Sequence, residues 1–100
     1  MGNDARFYVE RGNAWRGKRA FKRAMADFNH AIILDPKLAS AYAGRGSVES
    51  DQGNLDAAIT DFTRAIKLDQ KIVAAYLDRA HVEKAKGDLV RFHLRPGSLS

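Results

Sequence analysis

The chain has 100 residues, of which 45% are hydrophobic and 29% are charged, and its formal net charge is +5. This composition, with only two prolines, predicts one small soluble helical domain and excludes an intrinsically disordered segment. No apolar run reaches the roughly 20 residues that span a bilayer, and the absence of cysteine excludes disulfides and thiolate chemistry.

Five helices are predicted from hydrophobic side chains that recur in steps of three and four. Tyr8, Gly12 and Trp15 follow this spacing, which places them on one stripe of a first helix. The pattern resumes at Phe21, and the second helix should end at Asp35–Pro36 because proline is excluded from helix interiors. The predicted helices lie near residues 4–17, 20–34, 38–51, 54–68 and 72–86.

These helices recur in pairs with a period of 34 residues. Aligning residues 5–38 with residues 39–72 needs no gap and gives twelve identities. The identical pairs are Ala5/Ala39, Tyr8/Tyr42, Arg11/Arg45, Gly12/Gly46, Ala24/Ala58, Asp27/Asp61, Phe28/Phe62, Ala31/Ala65, Ile32/Ile66, Leu34/Leu68, Asp35/Asp69 and Lys37/Lys71. Such a period is typical of one unit stacked on copies of itself, because a single unit cannot bury its own apolar face. We therefore predict a single domain over residues 1–100, with a partial third repeat at 73–100.

The repeat resembles the tetratricopeptide repeat. Counting places from the first residue of each copy, an aromatic stands at place 4 and a small residue at place 8 of all three copies. Both full copies have alanine at places 20 and 27 and phenylalanine at place 24. The resemblance implies an all-α fold, a right-handed α-solenoid of antiparallel helix pairs about two and a half repeats long. It also implies a protein-interaction scaffold rather than an enzyme.

Several places depart from the family pattern. Arginine occupies place 7 in all three copies, where the family usually has an aliphatic residue. Glu49 and Glu83 replace the usual aromatic at place 11. The third copy keeps Gly87 and then runs into Phe92, where a small residue is expected, and into Pro96–Gly97. We therefore predict one helix plus a fragment for the third unit.

No residue pattern supports catalysis, a cofactor or a metal site. Residues Gly12–Arg19 match the GxxxxGK spacing of a phosphate-binding loop, but arginine ends the motif where Ser or Thr must bind magnesium. Asp27 and Asp61 occupy the same place in successive repeats, which predicts helix-surface partners for basic residues rather than a catalytic pair. The histidines are scattered, without metal-ligand spacing: His30, His81 and His93.

The resemblance implies a peptide-binding groove along the first helix of each pair. In the family the groove is lined mainly by places 2, 5, 9 and 12. In this chain these places hold Arg6, Val9, Asn13, Arg16, Ser40, Ala43, Ser47, Ser50, Ala74, Leu77, His81 and Lys84. The middle of the set is small and neutral and its ends are basic, which predicts a short peptide with acidic ends and a small or apolar centre.

One branch of the family, the cochaperones, grips the terminal carboxylate of heat-shock chaperones with two lysines, two asparagines and an arginine. The corresponding positions here are Val9, Asn13, Gly44, Ala74 and Asp78. Only Asn13 matches, and Asp78 has the opposite charge to the one required. The carboxylate clamp is therefore predicted to be absent.

The fifth predicted helix has no complete sixth helix to cover its apolar side. The uncovered residues are Ile72, Val73, Tyr76, Leu77 and Ala80. Covering about 300 Å² of apolar surface would contribute roughly 7 kcal/mol before ordering costs. We expect self-association through this end, or that the chain is one part of a longer array. The alternative is that residues 88–100 fold back as an irregular cap.

A compact basic cluster lies in the predicted turn between the first two helices, at Arg16–Arg23. It provides the alternative function, binding of nucleic acid or of an acidic surface, which would make affinity depend on salt. The favoured interpretation is a solvated turn whose long side chains cover Trp15 and Phe21 with their methylenes. Nucleic acid is accordingly the less favoured partner.

The cellular location is predicted only coarsely. The first residues lack the apolar stretch of a signal peptide, which favours the cytoplasm over export. A longer precursor carrying a signal is also compatible with this sequence. The sequence identifies neither the partner nor the oligomeric state.

Overall fold

In a computed structural model of the protein, the backbone is described for residues 3–94 and the side chains for residues 4–72 and 75–89. Within this part of the chain there are five α-helices and no strand: α1 Asn3–Gly17, α2 Phe21–Leu34, α3 Ala39–Asp51, α4 Leu55–Leu68 and α5 Val73–Leu94. The first four agree with the predicted helices to within one residue at each end. The predicted all-α helical repeat is confirmed.

The helices pack in chain order. α2 lies on α1 and α4 on α3, while α3 also contacts both helices of the first pair and α5 contacts α3 and α4. The short connections between consecutive helices make neighbours antiparallel, as in helical hairpins generally. Stacking the pairs gives an elongated molecule with extents of 59 × 28 × 18 Å.

The turns follow the repeat as well. Inside each pair one residue adopts left-handed backbone: Gly53 has φ +82°, and Arg19, at the same place of the first copy, has φ +59°. Glycine does this freely, whereas a side chain there costs about 1 kcal/mol. Between pairs, Asp35 Oδ1 accepts a hydrogen bond from the backbone N–H of Lys37 at 3.1 Å, and Asp69 makes the same bond two residues onward at 3.0 Å. The second turn therefore keeps the geometry of the first without its proline.

Two buried phenylalanine rings occupy the centre of the core. Phe28 lies between α1 and α3, so that a Cβ on Gly12 would be 3.0 Å from its ring and a Cβ on Gly44 only 2.2 Å. Phe62 packs on Gly46, where a Cβ would be 2.9 Å from the ring. The 34-residue period indicates the packing roles of Gly12 and Gly46. It does not indicate that of Gly44, which has no glycine at the same place in either other copy.

Helix α5 differs from the sequence prediction. Its 22 residues run through Gly87 without a break, so the predicted helix plus fragment is wrong here, and residues 88–94 do not fold back as a cap. The helix continues because the residues after Gly87 lack the small-and-aromatic face that returns α4 onto α3. An ion pair between Lys86 and Asp56 also ties α5 to α4. The interruption predicted at Pro96–Gly97 lies outside the described residues.

Candidate functional site

The first helices of the three copies lie side by side and form one face of the molecule, with α3 between α1 and α5. On α3 this face carries only small side chains: Ser40 is exposed, and Ala43, Ser47 and Ser50 are half-buried. The Ser47 hydroxyl donates a hydrogen bond to the carbonyl oxygen of Ala43 at 3.1 Å. The middle of the face is therefore a floor of small side chains.

Longer side chains border this floor on both sides. The exposed ones are Arg6, Asn13, Leu77, His81 and Lys84. Val9 is buried in the core around Phe28, so it supports the face more than it presents a contact. Ala74, the remaining residue on the α5 side, lies outside the residues whose side chains are described.

An open cleft of about 490 Å³ lies at the end of the face where α1 and α3 begin. Arg6, Val9 and Ser40 line it together with residues of the two turns between pairs. Lys37 adds a second cation to its wall, and Glu10 and Asp69 add two carboxylates. The cleft thus has mixed charge, with Arg6 on the side nearest the groove face.

Arg16 is less available than the sequence suggests. Its guanidinium donates two hydrogen bonds to Asp51, at 2.6 Å from Nε and 3.3 Å from Nη2, across the far ends of α1 and α3. Beside this pair is a small cavity of about 80 Å³ whose lining includes Ser47, Ser50, His81 and Asp78. The basic character predicted for this end is therefore partly neutralised, whereas Lys84 takes part in no ion pair among the described residues.

Two of the three arginines at place 7 form ion pairs with buried aspartates. Arg11 donates to both carboxylate oxygens of Asp27, each at 2.8 Å, and Arg45 grips Asp61 in the same way at 2.7 and 2.8 Å. The two aspartates are only 5% exposed. They are partners of basic residues, as predicted, but they lie inside the helix pairs and not on the surface. Both arginines stand 16 residues before their aspartates, a spacing that was visible in the sequence.

Glu49 lies beside the second of these ion pairs. Its Oε1 is buried, and no donor among the described residues reaches it. Burial first, then the hydrogen bond to Asp61 and its negative charge, raise the pKa of Glu49 to about 8 against the opposing charge of Arg45. Burial alone would raise the pKa of Asp61, but hydrogen bonds from Arg45 and Glu49 hold it below its usual value. The raised pKa of Glu49 favours its protonated form beside the Asp61 carboxylate.

The raised pKa of Glu49 predicts a pH-dependent stability. The folded protein holds this proton up to about pH 8, whereas the unfolded chain releases it near its ordinary value, so unfolding becomes easier as pH rises between the two. Glu49→Gln keeps the shape without the proton and should flatten this slope. After discounting for partial exposure, its advantage over the wild type should grow by on the order of 1–2 kcal/mol between pH 5 and pH 8.5. Denaturant titrations at both pH values measure this, and an advantage that is equal at both would contradict it.

The basic turn between α1 and α2 covers aromatic rings. Lys18 and Arg23 lie over the Trp15 ring at 5.8 and 4.8 Å, and Arg19 lies over Phe21 at 5.0 Å. Within residues 4–72 and 75–89, the ion pairs of the structure involve none of these cations. The turn is thus a positive surface whose side chains already have a packing role.

The other chemical candidates find no support. Gly12 and Gly17 both lie in α1, so the phosphate-loop spacing falls on a helix. His30 stacks on Tyr8 with ring centroids 4.2 Å apart, and His93 lies outside the described side chains. Gly44 is buried under Phe28, which leaves no room for a clamp lysine at that position. Among the described residues no cluster of His, Asp and Glu is placed to hold a metal ion, and no helix is long and apolar enough to cross a membrane.

The end formed by α5 exposes apolar side chains. Tyr76 is 40% exposed and Leu77 59% exposed, Ala80 is also exposed, and Ile72 is half-buried. The side chain of Val73 lies outside the described residues. Tyr76 and Leu77 occupy different places of the repeat. Tyr76 stands at the place of Tyr42, which faces the second helix of its pair, and Leu77 stands at place 5, one of the predicted groove places.

Residues 39–72 match the family model of the tetratricopeptide repeat. Among 42 matching chains of solved structures is the tetratricopeptide-repeat domain of Arabidopsis OM64, which superposes with a TM-score of 0.81 at 27% identity. The match covers 92% of this chain and 74% of that one. No curated protein sequence gives a significant match.

Proposed function

We propose that this chain, a tetratricopeptide-repeat protein, is a non-enzymatic scaffold that binds a short peptide of a partner protein across the face formed by α1, α3 and α5. Helical repeats of this kind are interaction modules, whose curved surfaces hold extended ligands. The observation that carries the proposal is the uninterrupted row of small side chains on α3 between two rows of longer ones. Such a floor admits a main chain lying across the helices.

We infer the length and charge of the ligand from the positions of Arg6 and Lys84, which take part in no ion pair among the described residues. Arg6 lies in the first turns of α1 and Lys84 about ten residues further along its own helix, on the opposite side of the floor. Ten helical residues span about 15 Å, and two interhelical steps span about 20 Å. The diagonal is about 25 Å, which corresponds to about seven or eight extended residues. We infer a peptide of this length with an acidic residue near each end and small or apolar residues between.

The test selects peptides from a random eight-residue library with the wild-type chain. We expect the selected peptides to carry acidic residues at both ends and to bind the double variant Arg6→Glu/Lys84→Glu about tenfold more weakly, because both rim charges change sign. The charge-matched control is Lys67→Glu/Lys71→Glu, which alters two exposed lysines outside the face and should retain binding. Equal affinity of the selected peptides for wild type and Arg6→Glu/Lys84→Glu would refute the groove.

A second candidate is binding of nucleic acid or an acidic surface by the basic turn Arg16–Arg23. Its support is that Lys18, Arg19 and Arg23 take part in none of the ion pairs found among the described residues. Phosphate contacts would give an affinity that falls steeply with salt. Binding of a DNA or RNA duplex that is insensitive to salt, or that survives Lys22→Glu/Arg23→Glu, would remove this candidate.

Self-association through Ile72, Val73, Tyr76, Leu77 and Ala80 is the remaining proposal for the α5 end. The exposure of Tyr76 and Leu77 supports a contact at this end. A chain that remains monomeric by light scattering at high concentration would exclude a second copy as the occupant. The charges beside Tyr76, however, favour a different occupant.

A further inference from the structure

One face of α5 matches a face that is covered on α3. Tyr42 and Tyr76 occupy the same place of successive copies, yet Tyr42 is 7% exposed and Tyr76 is 40% exposed. The same holds for the small residue one turn later, since Gly46 is buried and Ala80 is exposed. The difference is the second helix of the pair, which is α4 for α3 and for which α5 has no equivalent within residues 3–94.

The structure shows which helix packs on such a face, because α2 covers it on α1 and α4 covers it on α3. Asp61 of α4 takes two hydrogen bonds from Arg45, and the next residue, Phe62, packs on Gly46. Ala58 and Ala65, three residues before Asp61 and four after it, are fully buried and let the two helices approach closely. In α2 the same pattern recurs: Ala24, Asp27, Phe28 and Ala31. The complementary helix therefore reads small–x–x–Asp–Phe–x–x–small.

The α5 face also has an arginine at the place that binds the aspartate in the first two pairs. Arg79 stands at the place of Arg11 and Arg45, but it has no carboxylate of another helix within the described residues. Its ion pair is with Glu83, one turn along the same helix, at 3.3 Å, a distance longer than the 2.7–2.8 Å contacts of the two buried pairs. Its guanidinium also lies 5.7 Å from the centre of the Tyr76 ring. An arginine held in the register of a bidentate pair, next to an uncovered aromatic, selects an acidic helix.

The segment at the register of this helix in the third copy does not carry the pattern. At the register of the first alanine, the aspartate and the phenylalanine stand Phe92, Arg95 and Pro96. Arg95 would oppose Arg79, and a proline interrupts the helix interior. A second copy has the pattern only in α2 and α4, whose matching faces are buried in their own pairs. The charge of Arg79, and the lack of a free copy of the pattern within residues 1–100, favour an acidic helix of another protein as the occupant.

We infer that the α5 face, formed by Tyr76, Arg79, Ala80 and Glu83, docks an amphipathic helix of a partner protein that carries the pattern small–x–x–Asp–aromatic–x–x–small. The helix lies antiparallel to α5 and completes the third repeat from outside. Its aspartate grips Arg79 and its aromatic ring covers Ala80. This surface is separate from the groove, which lies on the neighbouring face of the same helix.

The probe is a synthetic peptide with the sequence of α4, LDAAITDFTRAIKL, which already fits an arginine face of the same register. Titration into the labelled chain, followed by NMR, should shift amide signals along residues 76–87. Arg79→Glu should weaken binding roughly 10- to 100-fold, the range for a lost charged hydrogen-bond pair. A peptide in which the aspartate before phenylalanine is replaced by arginine should bind the Arg79→Glu variant and should not bind the wild type. Lys71→Glu makes the same charge change just before α5 and should bind the original peptide normally.

Three results would overturn the inference. One is absence of binding at millimolar peptide, and another is equal binding to wild type and Arg79→Glu. The third is a dimer of the chain alone in which Tyr76 becomes protected from solvent, since a second copy would then occupy the face. The combination of the Arg79→Glu variant with the arginine peptide keeps the test valid if the substitution alters stability. A chain that was merely destabilised would not gain affinity for the arginine peptide.

Discussion

Replacing Gly44 with alanine should lower the free energy of unfolding by about 2–3 kcal/mol, although alanine favours helices more than glycine does. The new Cβ would lie 2.2 Å from Phe28 Cε1, well inside van der Waals contact. The ring has little room to move, because it is fully buried and a Cβ on Gly12 of α1 would also lie only 3.0 Å from it. Relief requires α1 and α3 to separate around Phe28. Denaturant unfolding of the purified variant measures the loss.

Gly87 supplies the matched control for this result. It also lies within a helix, but a Cβ there meets no atom within 4 Å. Gly87→Ala should therefore raise the free energy of unfolding of α5 by about 0.5–1 kcal/mol. Shortening the ring with Phe28→Leu should restore part of the stability lost in Gly44→Ala. If the two glycine variants changed stability alike, the close approach at Gly44 would be refuted.

The largest electrostatic effect is expected at Arg45. Arg45→Leu removes both hydrogen bonds to Asp61 and leaves that aspartate buried beside Glu49 with no cation. Breaking a buried pair in this way costs about 3–5 kcal/mol, which is a large part of the stability of a small domain. The loss should shrink as pH falls, since protonation of Asp61 removes the uncompensated charge. Unfolding curves at pH 7 and pH 4 give both quantities.

Arg16→Leu is the control that distinguishes the effect of burial from that of two-pronged geometry on stability. Its pair with Asp51 is also two-pronged but lies in solvent, so Arg16→Leu should cost less than about 1 kcal/mol. A double variant, Arg45→Leu with Asp61→Leu, should recover much of the loss, since apolar replacement of a buried pair is often tolerated. A cost at Arg45 as small as that at Arg16 would contradict the buried arrangement.

The period in the sequence predicted the parts of the fold that repeat and missed those that do not. Helices α1 to α4 were predicted closely because each is encoded twice, once per copy. The packing role of Gly44 was missed because its contact with Phe28 joins one repeat to the next. The other copies have Glu10 and Asp78 at the place of Gly44. A repeat alignment compares equivalent positions and therefore hides contacts between different ones.

The continuation of α5 and the bond between Arg16 and Asp51 were also missed because a repeat alignment compares only equivalent positions. Gly87 sits at the place of Gly53, and the fifth helix was predicted to end just before it, near residue 86. Whether a chain turns depends on whether the following segment has a face to bury, and the residues after Gly87 have none that matches α4. The bond between Arg16 and Asp51 joins residues 35 positions apart, which no local spacing reveals. The register predicts which side chains of the first helices share a face, but it does not show that Arg16 is paired with Asp51.

Unequal contacts of the two phenylalanine rings bear on how the molecule opens. Phe28 is wedged against both of its neighbouring first helices, so the loss of either one exposes it and the first two repeats should unfold as one cooperative unit. Phe62 meets Asp78 across a cavity of about 80 Å³ in place of a second glycine, so α5 is coupled less tightly. Amide hydrogens of α5 should exchange through local opening at lower free energy than those of α1 to α4. The least protected segment is then the one that presents Arg79, and a bound helix would register as slowed exchange there before any change in shape.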